Sequence, residues 1–594
     1  MGPVLSLTET PAKRHRGKVL VFGDDTRSFL TTVRSLGRQG IEVHVAPFDF
    51  LSPALSSRYI AAIHWVPYYL GDGREWLDTV VGLASAHRYD LIIPCDERAL
   101  LPLHRHRAAI EPFSRLALPD DRGIEVFYDK QQTRDLARAV GVAIAPGRVI
   151  ETADVAADLV AEVGLPLVIK PRRSYALEDL YTRGRVRVIL SATELAEVLP
   201  LVRDGRYFFE GFFPGQGVGV SILSRDGRIL QAFQHHRVHE RGGSGYFRVS
   251  APLSPPLMEA VSAIIAATAY TGVAMFEFKV NRDDGDWILL EVNARPWGSM
   301  PLPVGLGVDF PYDWYRLLVD DVETPRHSYR LGVHARNFVP DFLAMMAEAR
   351  ENLNRPWRIG ALLARRLWEG RYVLTGREFQ DVFTSDDRAP AVAEIRQLVC
   401  DFGGRLASIV PGDATRRGRH DRWQARSARA GEREGHFAVI FVCQGNICRS
   451  PFAEHAFRSL VAAVGSSAGT SKIRCSSAGM LPREGRCSPS AALDAARSRG
   501  IDLSSHRSRH LSQESVAAAD LIVVFDSKNL HWLRQRFPEA ADKTVFLGSF
   551  LPSGERSEIA DPDGGTRAVF EASYECIASA VDGLAKTLTG ETGR

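Results

Sequence analysis

Cysteine is scarce in this chain of 594 residues: seven in all, scattered from Cys95 to Cys576. That number and spread exclude a disulfide-stapled scaffold and point to the reducing cytoplasm. Long apolar runs are missing too. No stretch approaches the roughly 20 residues that a membrane-spanning helix needs, and Met1 to Gly17 lacks the hydrophobic core of a secretory signal. Nor is there an excess of one charge sign. Lys and Arg number 74 against 71 Asp and Glu, a net charge of +3, so neither nucleic acid nor a membrane is expected as a partner. No internal repeat is visible, and the Gly23 that follows the first apolar run lacks the Gly-x-Gly-x-x-Gly dinucleotide spacing. What remains is 45% apolar and 24% charged, the composition of ordinary globular domains, at a length that requires several cores.

The pattern changes along the chain. After a flexible tail (1–17), apolar runs at Lys18–Phe22, Ile41–Ala46 and Leu91–Pro94 alternate with helical segments and predict a parallel α/β layer over 18–120. From 121 to 325 the runs are denser: Leu167–Lys170, Arg187–Leu190, Tyr207–Glu210, Gly219–Leu223, Met275–Val280 and Trp287–Val292. Paired apolar positions such as Phe342, Met345, Met346 and Leu362, Leu363, Leu367 predict a helical extension over 326–410. Residues 411–436 are rich in Arg, Gly, Ala and Ser and poor in large aliphatics, the composition of a linker. Strand and helix alternate again over 437–594.

The densest chemistry lies at Val442-Cys-Gln-Gly-Asn-Ile-Cys-Arg-Ser-Pro451, directly after the apolar run Phe437–Phe441. A loop joining a strand to a helix N-terminus turns several backbone N–H groups inward and binds a dianion. The same positive field favours thiolate over thiol in a cysteine held there, which makes Cys443 a nucleophile. Arg449, six residues on, carries the planar fork that grips two phosphoryl oxygens. Gly445 and Asn446 tolerate the left-handed backbone of so tight a loop, and Ser450 can donate to the thiolate. A phosphocysteine route also needs an acid for the leaving group and a base for water. Asp561, followed by Pro562 in the Gly-rich stretch to Gly565, suits that role.

With Ser477-Ala-Gly479, Gly500-Ile-Asp-Leu-Ser-Ser-His-Arg-Ser508, Asp520-Leu-Ile522 and Asp561-Pro562 following in order, residues 437–594 resemble the low-molecular-weight protein tyrosine phosphatase family. The resemblance implies Cys443 as nucleophile, Arg449 as phosphate clamp and Asp561 as general acid, with no cofactor. It further implies that Asn446 and His506 support the loop, and that Cys448 forms a protective disulfide with Cys443 on oxidation. Two positions bear on the substrate, which is expected to be a phosphorylated protein or a small phosphomonoester. The family usually has an aromatic residue after Asp-Pro, where this chain has Asp563; Ile447 matches tyrosine-directed rather than arginine-directed members, which carry Thr.

A second constellation lies upstream. Glu291 and Asn293 share a strand face, and Glu277 on the preceding strand can join them. Two carboxylates and an amide oxygen form a hard site for Mg2+, or Mn2+. Lys130 and Lys170 are compact cations for nucleotide phosphates, and Arg295 can steady a transferred phosphoryl group. Glu210 precedes Gly-Phe-Phe-Pro-Gly215, a hinge over an adenine. Gly242–Gly245 reads as either a hairpin turn or a substrate-covering loop, and Cys95-Asp96-Glu97 at a strand end is a candidate for substrate contact.

The blocks Asp129-Lys130, Gly141-Val-x-x-Ala-Pro146, Val168-Ile-Lys-Pro171, Phe208-Phe-Glu-Gly211, Phe276-Glu-Phe-Lys279 and Leu290-Glu-Val-Asn-Ala-Arg-Pro296 together resemble the ATP-grasp superfamily. The nearest likeness is to carbamoyl-phosphate-synthase-like carboxylate–amine ligases. It implies a pre-ATP-grasp domain followed by the grasp, with Lys130, Lys170 and Glu210 on ATP and with Glu277, Glu291 and Asn293 on Mg2+. Arg295 would stabilise an acyl-phosphate step, and the partners would be a small carboxylate and an amine. Gly217 and Val218 stand where many members carry an acidic ribose ligand, and Arg172-Arg-Ser-Tyr175 lacks the usual run of small residues. Together the two resemblances imply an α/β chain that pairs a ligase with a parallel-sheet phosphatase. The rival reading makes the first region a nucleotide-binding regulatory or scaffolding module.

Overall fold

The fold is that of a computed structural model, which describes residues 17–49, 52–69, 71–178, 180, 183–184, 186–202, 204–241, 243–324, 327–407, 421, 424–425, 436–464, 473–481, 484–552, 558–563 and 567–589. The tail before Gly17, most of the 411–436 linker, Gly242 and Gly564-Gly565 lie outside the described residues. The chain divides into two compact units, Met1–Ile395 and Arg396–Arg594.

The first unit opens with a five-stranded sheet in the order β3-β2-β1-β4-β5: β1 (Lys18–Phe22), β2 (Glu42–Ala46), β3 (Ile60–Ile63), β4 (Leu91–Pro94) and β5 (Arg115–Leu116). Every pairing is parallel. Parallel strands are covered on both faces, which is why β1 and β4 read as unbroken apolar runs. Val19, Val21, Leu91 and Ile93 pack into one core, and Leu20, Phe22 and Ile92 into another beneath the helix Arg74–His87. The strand order reverses between β1 and β4, so the carboxyl ends there flank the crevice where such sheets bind ligands. Asp25 anchors that end by accepting from the N–H groups of Arg27 and Ser28, at 2.8 and 2.6 Å, at the start of the helix Ser28–Arg38.

Two layers follow, antiparallel except for the parallel β15–β16 pair at one edge of the larger. The smaller runs β6-β9-β7-β8: β6 (Gly147–Val149), β7 (Leu167–Pro171), β8 (Arg187–Ile189) and β9 (Tyr207–Gly211). The larger runs β14-β13-β10-β11-β12-β15-β16: β10 (Gln216–Arg225), β11 (Arg228–Arg241), β12 (Ser244–Ala251), β13 (Gly272–Val280), β14 (Trp287–Asn293), β15 (His334–Arg336) and β16 (Glu378–Gln380). Alternation sorts its faces. Val218, Val220, Ile222, Phe276, Phe278 and Val292 pack under the helix Pro255–Thr268, each apolar side chain stabilising by roughly 1.5–3 kcal/mol. Gly217, Gly219, Glu277, Glu291 and Asn293 therefore share the opposite face.

Residues 326–410 differ from the expected purely helical extension. The helices Phe338–Glu351, Pro356–Glu369 and Ala389–Ala407 are present, yet β15 and β16 add two strands to the larger sheet. Runs of three residues carry too little period-2 signal to be read. The helices are tied down by ions: His239 Nδ1 lies 3.1 Å from Asp341, its Nε2 lies 2.8 Å from Glu369, and Arg366 lies 2.9 Å from Asp341.

The second unit is a four-stranded parallel sheet in the order β18-β17-β19-β20: β17 (Phe437–Cys443), β18 (Ile473–Gly479), β19 (Leu521–Val524) and β20 (Thr544–Phe546). Val439, Phe441 and Cys443 face the helices Arg449–Val464 and Arg567–Thr589, while Ile440 and Val442 face the helix Ser527–Arg536. Inside the segment expected to be a bare linker, Asp421 accepts from Ser549 Oγ at 2.6 Å and Ala425 is fully buried in the core of this unit. Small and charged residues there give no composition signal of packing, because a single carboxylate and a methyl group do the anchoring.

Candidate active sites

β17 delivers Cys443 to the head of a closed loop. Asn446 has the left-handed backbone that the loop requires, φ 51°. Its side chain is clamped on every side: Nδ2 donates to Ser450 Oγ and to Ser477 Oγ, both at 2.9 Å, and Oδ1 accepts from Arg509 N at 2.8 Å. Ser477 in turn donates to Glu454 at 2.6 Å. The carbonyl of Asn446 can only accept, so the hydrogen bond at 2.8 Å puts the proton of His506 on Nε2. Burial pushes His506 below its ordinary value and keeps it a neutral donor. Gly479 admits the loop, since a Cβ there would stand 3.0 Å from Asn446 Cβ and from the Gly445 carbonyl carbon.

Cys443 Sγ receives Asn446 N at 3.3 Å and Ser450 Oγ at 3.0 Å. Ser450 Oγ accepts from Asn446 Nδ2, and its own proton has two acceptors in reach, Cys443 Sγ at 3.0 Å and the Ala478 carbonyl at 3.4 Å. Arg449, at the start of the helix that follows the loop, is buried (1% side-chain exposure). Its Nη1 donates to Asp526 Oδ2 at 2.6 Å and to the Ile559 carbonyl at 3.0 Å, and its Nη2 donates to Asp561 Oδ2 at 2.6 Å. Arg449 Nε has no hydrogen-bond partner among the described residues and remains for an incoming oxygen. Both Cys443 and Cys448 are free thiols, and burial, reinforced by Asp563, pushes Cys448 well above the ordinary thiol range. Asp563 stands at the rim, 3.9 Å from Cys448 Sγ.

Sequence reading missed Asp526, Glu454 and Arg486, which donates to the Gly445 carbonyl at 2.7 Å. Asp526 had a signal: it follows β19 and caps the helix Ser527–Arg536 by accepting Asn529 N at 2.7 Å.

Residues 438–593 match the family described as Low molecular weight phosphotyrosine protein phosphatase. A protein-arginine-phosphatase of Geobacillus stearothermophilus is 34% identical over 155 residues, 26% of this chain and 98% of that one. The chain belongs to the low molecular weight phosphotyrosine protein phosphatase family. Another relative, the low molecular weight protein-tyrosine-phosphatase Etp of Escherichia coli, is 30% identical over 26% of this chain and 95% of its own length. Among solved structures the chain is similar to an L-amino acid ligase from Bacillus licheniformis, at 19% identity and a TM-score of 0.40, over 52% of this chain and 75% of that one. The phosphatase unit accounts for the second part of the chain, with its parallel sheet as expected. No helix among the described residues is long and apolar enough to cross a membrane.

The first unit holds a separate polar cluster. Glu277 and Glu291 pair across β13 and β14, and Asn293 Nδ2 lies 3.4 Å from a carboxylate oxygen of each. Turning the Asn293 amide would present its oxygen to the same point, giving the hard oxygen donors that suit Mg2+. Burial and the neighbouring Glu291 charge push Glu277 up against the pull of Arg237. Burial also opposes ionisation of Glu291, but Lys130 and Lys170 outweigh it and hold that carboxyl below its usual range. Lys130 lies 3.8 Å from Glu291 and donates to Ser174 Oγ at 2.9 Å. Lys170 lies 2.5 Å from Glu210, whose other oxygen is 2.5 Å from Arg134. Glu210 thus sits buried in β9, just ahead of the 212–215 segment that joins the two sheets, where it holds Lys170 in place.

Arg237 escaped the sequence reading. It lies 2.6 Å from Glu277, reaching across β10 where Gly217 leaves room; a Cβ on Gly217 would approach Arg237 Cδ to 2.7 Å. Gly243, between β11 and β12, accepts from Arg237 at 3.0 Å and so steadies this arginine. Arg295 lies 3.2 Å from Glu97. Beside them opens a cleft of about 630 Å3, lined among others by Glu97, Tyr128, Arg173, Tyr175, His104 and Glu178. Close by, Asp24 lies 3.7 Å from Arg98, and burial lifts its carboxyl to about 6.

Proposed function

We propose that the chain is a bifunctional enzyme: a cysteine-dependent phosphatase joined to an ATP- and Mg2+-dependent carboxylate–amine ligase. In the phosphatase, Cys443 Sγ attacks phosphorus, the P–O bond to the leaving group breaks, and Asp561 gives its proton to the departing oxygen. Arg449 Nε and the loop N–H groups hold the other phosphoryl oxygens. An oxygen seated against Arg449 competes with Asp561 for Nη2, which frees the acid to face the leaving group. Water, deprotonated by Asp561, then cleaves the S–P bond and regenerates Cys443. The observation that carries this half is the Cys443–Ser450–Asn446 clamp facing one buried arginine.

For the ligase, the supporting observation is the convergence of Glu277, Glu291 and Asn293 with Lys130 and Lys170 on one sheet face. Mg2+ held by the three oxygen donors would neutralise phosphate charge and act as a Lewis acid. The two lysines would bind and orient the nucleotide phosphates. Arg295, poised at a cleft that carries charges of both signs, would orient a zwitterionic substrate and stabilise the acyl phosphate that the amine attacks. A second reading, a regulatory ATP-binding module, draws on the cations already occupying Glu210 and Glu277 in the free chain.

The phosphatase substrate is proposed to be a phosphomonoester of the aryl type, with Ile447 in its favour. The carboxylate of Asp563 favours instead a cationic leaving group, such as the phosphorylated guanidinium that the Geobacillus relative's name denotes. Hydrolysis of phosphotyrosine and phosphoarginine peptides side by side decides between them. Loss of both activities in Cys443→Ser, with ADP release lost only in Glu291→Gln, is the expected pattern; turnover that survives Cys443→Ser overturns the phosphatase half.

A further inference from the structure

Three histidines far apart in sequence meet in the first unit. His44 lies in β2, His64 directly follows β3, and His87 ends the helix Arg74–His87. One ring nitrogen from each lies within 4.8 Å of the other two. His44 Nδ1 is 2.8 Å from His64 Nε2, and the ring centroids are 4.9 Å apart for His44–His64 and for His44–His87 and 5.0 Å apart for His64–His87. No other three His, Cys, Asp or Glu side chains among the described residues bring ligand atoms this close together. Glu42 and Lys18, at the starts of β2 and β1, mark the cluster as lying away from the strand ends that carry Asp24 and Asp96.

The surroundings are those of ligand imidazoles rather than packing rings. His44 Nε2 faces Glu42 Oε1 at 2.9 Å, and a carboxylate can only accept there, so the proton sits on Nε2 and the Nδ1 lone pair points into the cluster. A carboxylate behind a histidine is the arrangement that orients metal-bound imidazole and raises its basicity. Glu42 is itself fixed by Lys18 at 2.9 Å. Tyr89 OH, 3.1 Å from His44 Nδ1 and 3.4 Å from His64 Nε2, borders the remaining side. The backbone holds the set together: His64 N donates to Val45 O at 2.8 Å, keeping the two ligands on adjacent strands.

We propose that His44, His64 and His87 bind one Zn2+ ion, with Glu42 as the outer carboxylate and a fourth position left to water beside Tyr89. Tetrahedral zinc with Zn–N near 2.1 Å needs ligand nitrogens about 3.3–3.4 Å apart. The His44–His64 pair therefore opens by about half an ångström, and His87 swings in by side-chain rotation. Three imidazoles without thiolate select zinc, or copper and nickel in vitro, over the hard Mg2+ of the oxygen site. Binding ties the end of the helix Arg74–His87 to β2 and to the residue after β3.

The test uses the full chain without a histidine tag, stripped with chelator and dialysed against Zn2+ in excess Mg2+, so that the Glu277–Glu291 site holds Mg2+. Elemental analysis should find one zinc per chain in the parent and in Cys443→Ser, and none in His64→Gln or His87→Gln. Glu42→Gln, which keeps the shape of this half-buried side chain and removes its charge, should weaken affinity roughly 10- to 100-fold. Cobalt substitution should give visible d–d bands without sulfur-to-metal charge transfer. Absence of bound zinc in the parent, zinc retained by both histidine variants, or a thiolate charge-transfer band lost in Cys443→Ser would each overturn the proposal.

Discussion

Asp526 Oδ2 lies 2.6 Å from Arg449 Nη1, so the guanidinium proposed to grip phosphate is held at one end by this carboxylate, while Asp561 holds the other. This buried pairing fixes the plane of the fork. Asp526→Asn keeps the shape and removes the charge, and we expect kcat/KM for an aryl phosphate to fall roughly 10- to 100-fold, about 1.4–2.7 kcal/mol of transition-state stabilisation. Steady-state kinetics measure it; an unchanged kcat/KM removes Asp526 from the site.

Asp561 is expected to act in proportion to need. Asp561→Asn should slow a phosphate with a poor leaving group by roughly 100- to 10,000-fold and a nitrophenyl phosphate far less, because a good leaving group departs without a proton. A series of substituted phenyl phosphates gives the comparison. Equal slowing across the series would assign Asp561 to binding.

The glycines of β10 are structural requirements of the Glu277 site. A Cβ on Gly219 would stand 2.2 Å from His235 Cε1, a side chain buried in the sheet. Gly219→Ala should cost about 1–3 kcal/mol of stability in the first unit. Thermal unfolding of the variant checks this, and a melting temperature equal to the parent's contradicts the crowding.

The ion network that docks the 338–369 helices should set a pH window. Burial pushes Asp341 up, but the His239 hydrogen bond and the Arg366 and Arg336 guanidinia outweigh it and hold the carboxyl at about 2. Burial likewise pushes His239 down, and Asp341 and Glu369 outweigh it and raise it. The Asp341 contribution is present above its unfolded value of about 3.9 and is lost as the pH falls towards 2. The His239 contribution is complete below about 6.5 and fades as the pH rises through its raised folded value. Asp341→Asn, which removes one of the carboxylates that Arg366 and Arg336 share while Glu369 and Glu378 remain, should cost roughly 1–3 kcal/mol between these limits and less at strongly acid pH. Melting curves against pH test the window; a difference that does not shrink in acid contradicts it.

The legible parts of this chain are those whose chemistry is local. Cys443, Asn446, Arg449 and Ser450 fall within eight consecutive residues after an apolar run, and Glu277 and Glu291 lie on strands that pair directly, so strand alternation sufficed to place them together. Asp526 carries only the local signal of a helix cap after β19, which does not tell that it reaches Arg449, and Glu454 is a single acid one turn along the helix that Arg449 begins, with nothing in its neighbours to mark it. Arg237 depends on a gap left by Gly217 on another strand, a feature that exists only across the sheet. The histidine cluster is drawn from β2, the residue after β3 and a helix end, so no ligand spacing exists to be read. Asp421 shows the converse: a composition too poor for a core can still anchor through one buried carboxylate.

Two independent activities in one chain are the central claim, and ADP release tests it most directly. The purified chain is incubated with Mg-ATP and pools of amino acids or small carboxylates, and ADP is followed so that phosphatase turnover does not enter the signal. The account predicts ADP formation dependent on one pool, abolished in Glu291→Gln and retained in Cys443→Ser, with hydrolysis of an aryl phosphate showing the reverse dependence. ATP binding without ADP from any pool, or ADP release indifferent to Glu291→Gln, would contradict it.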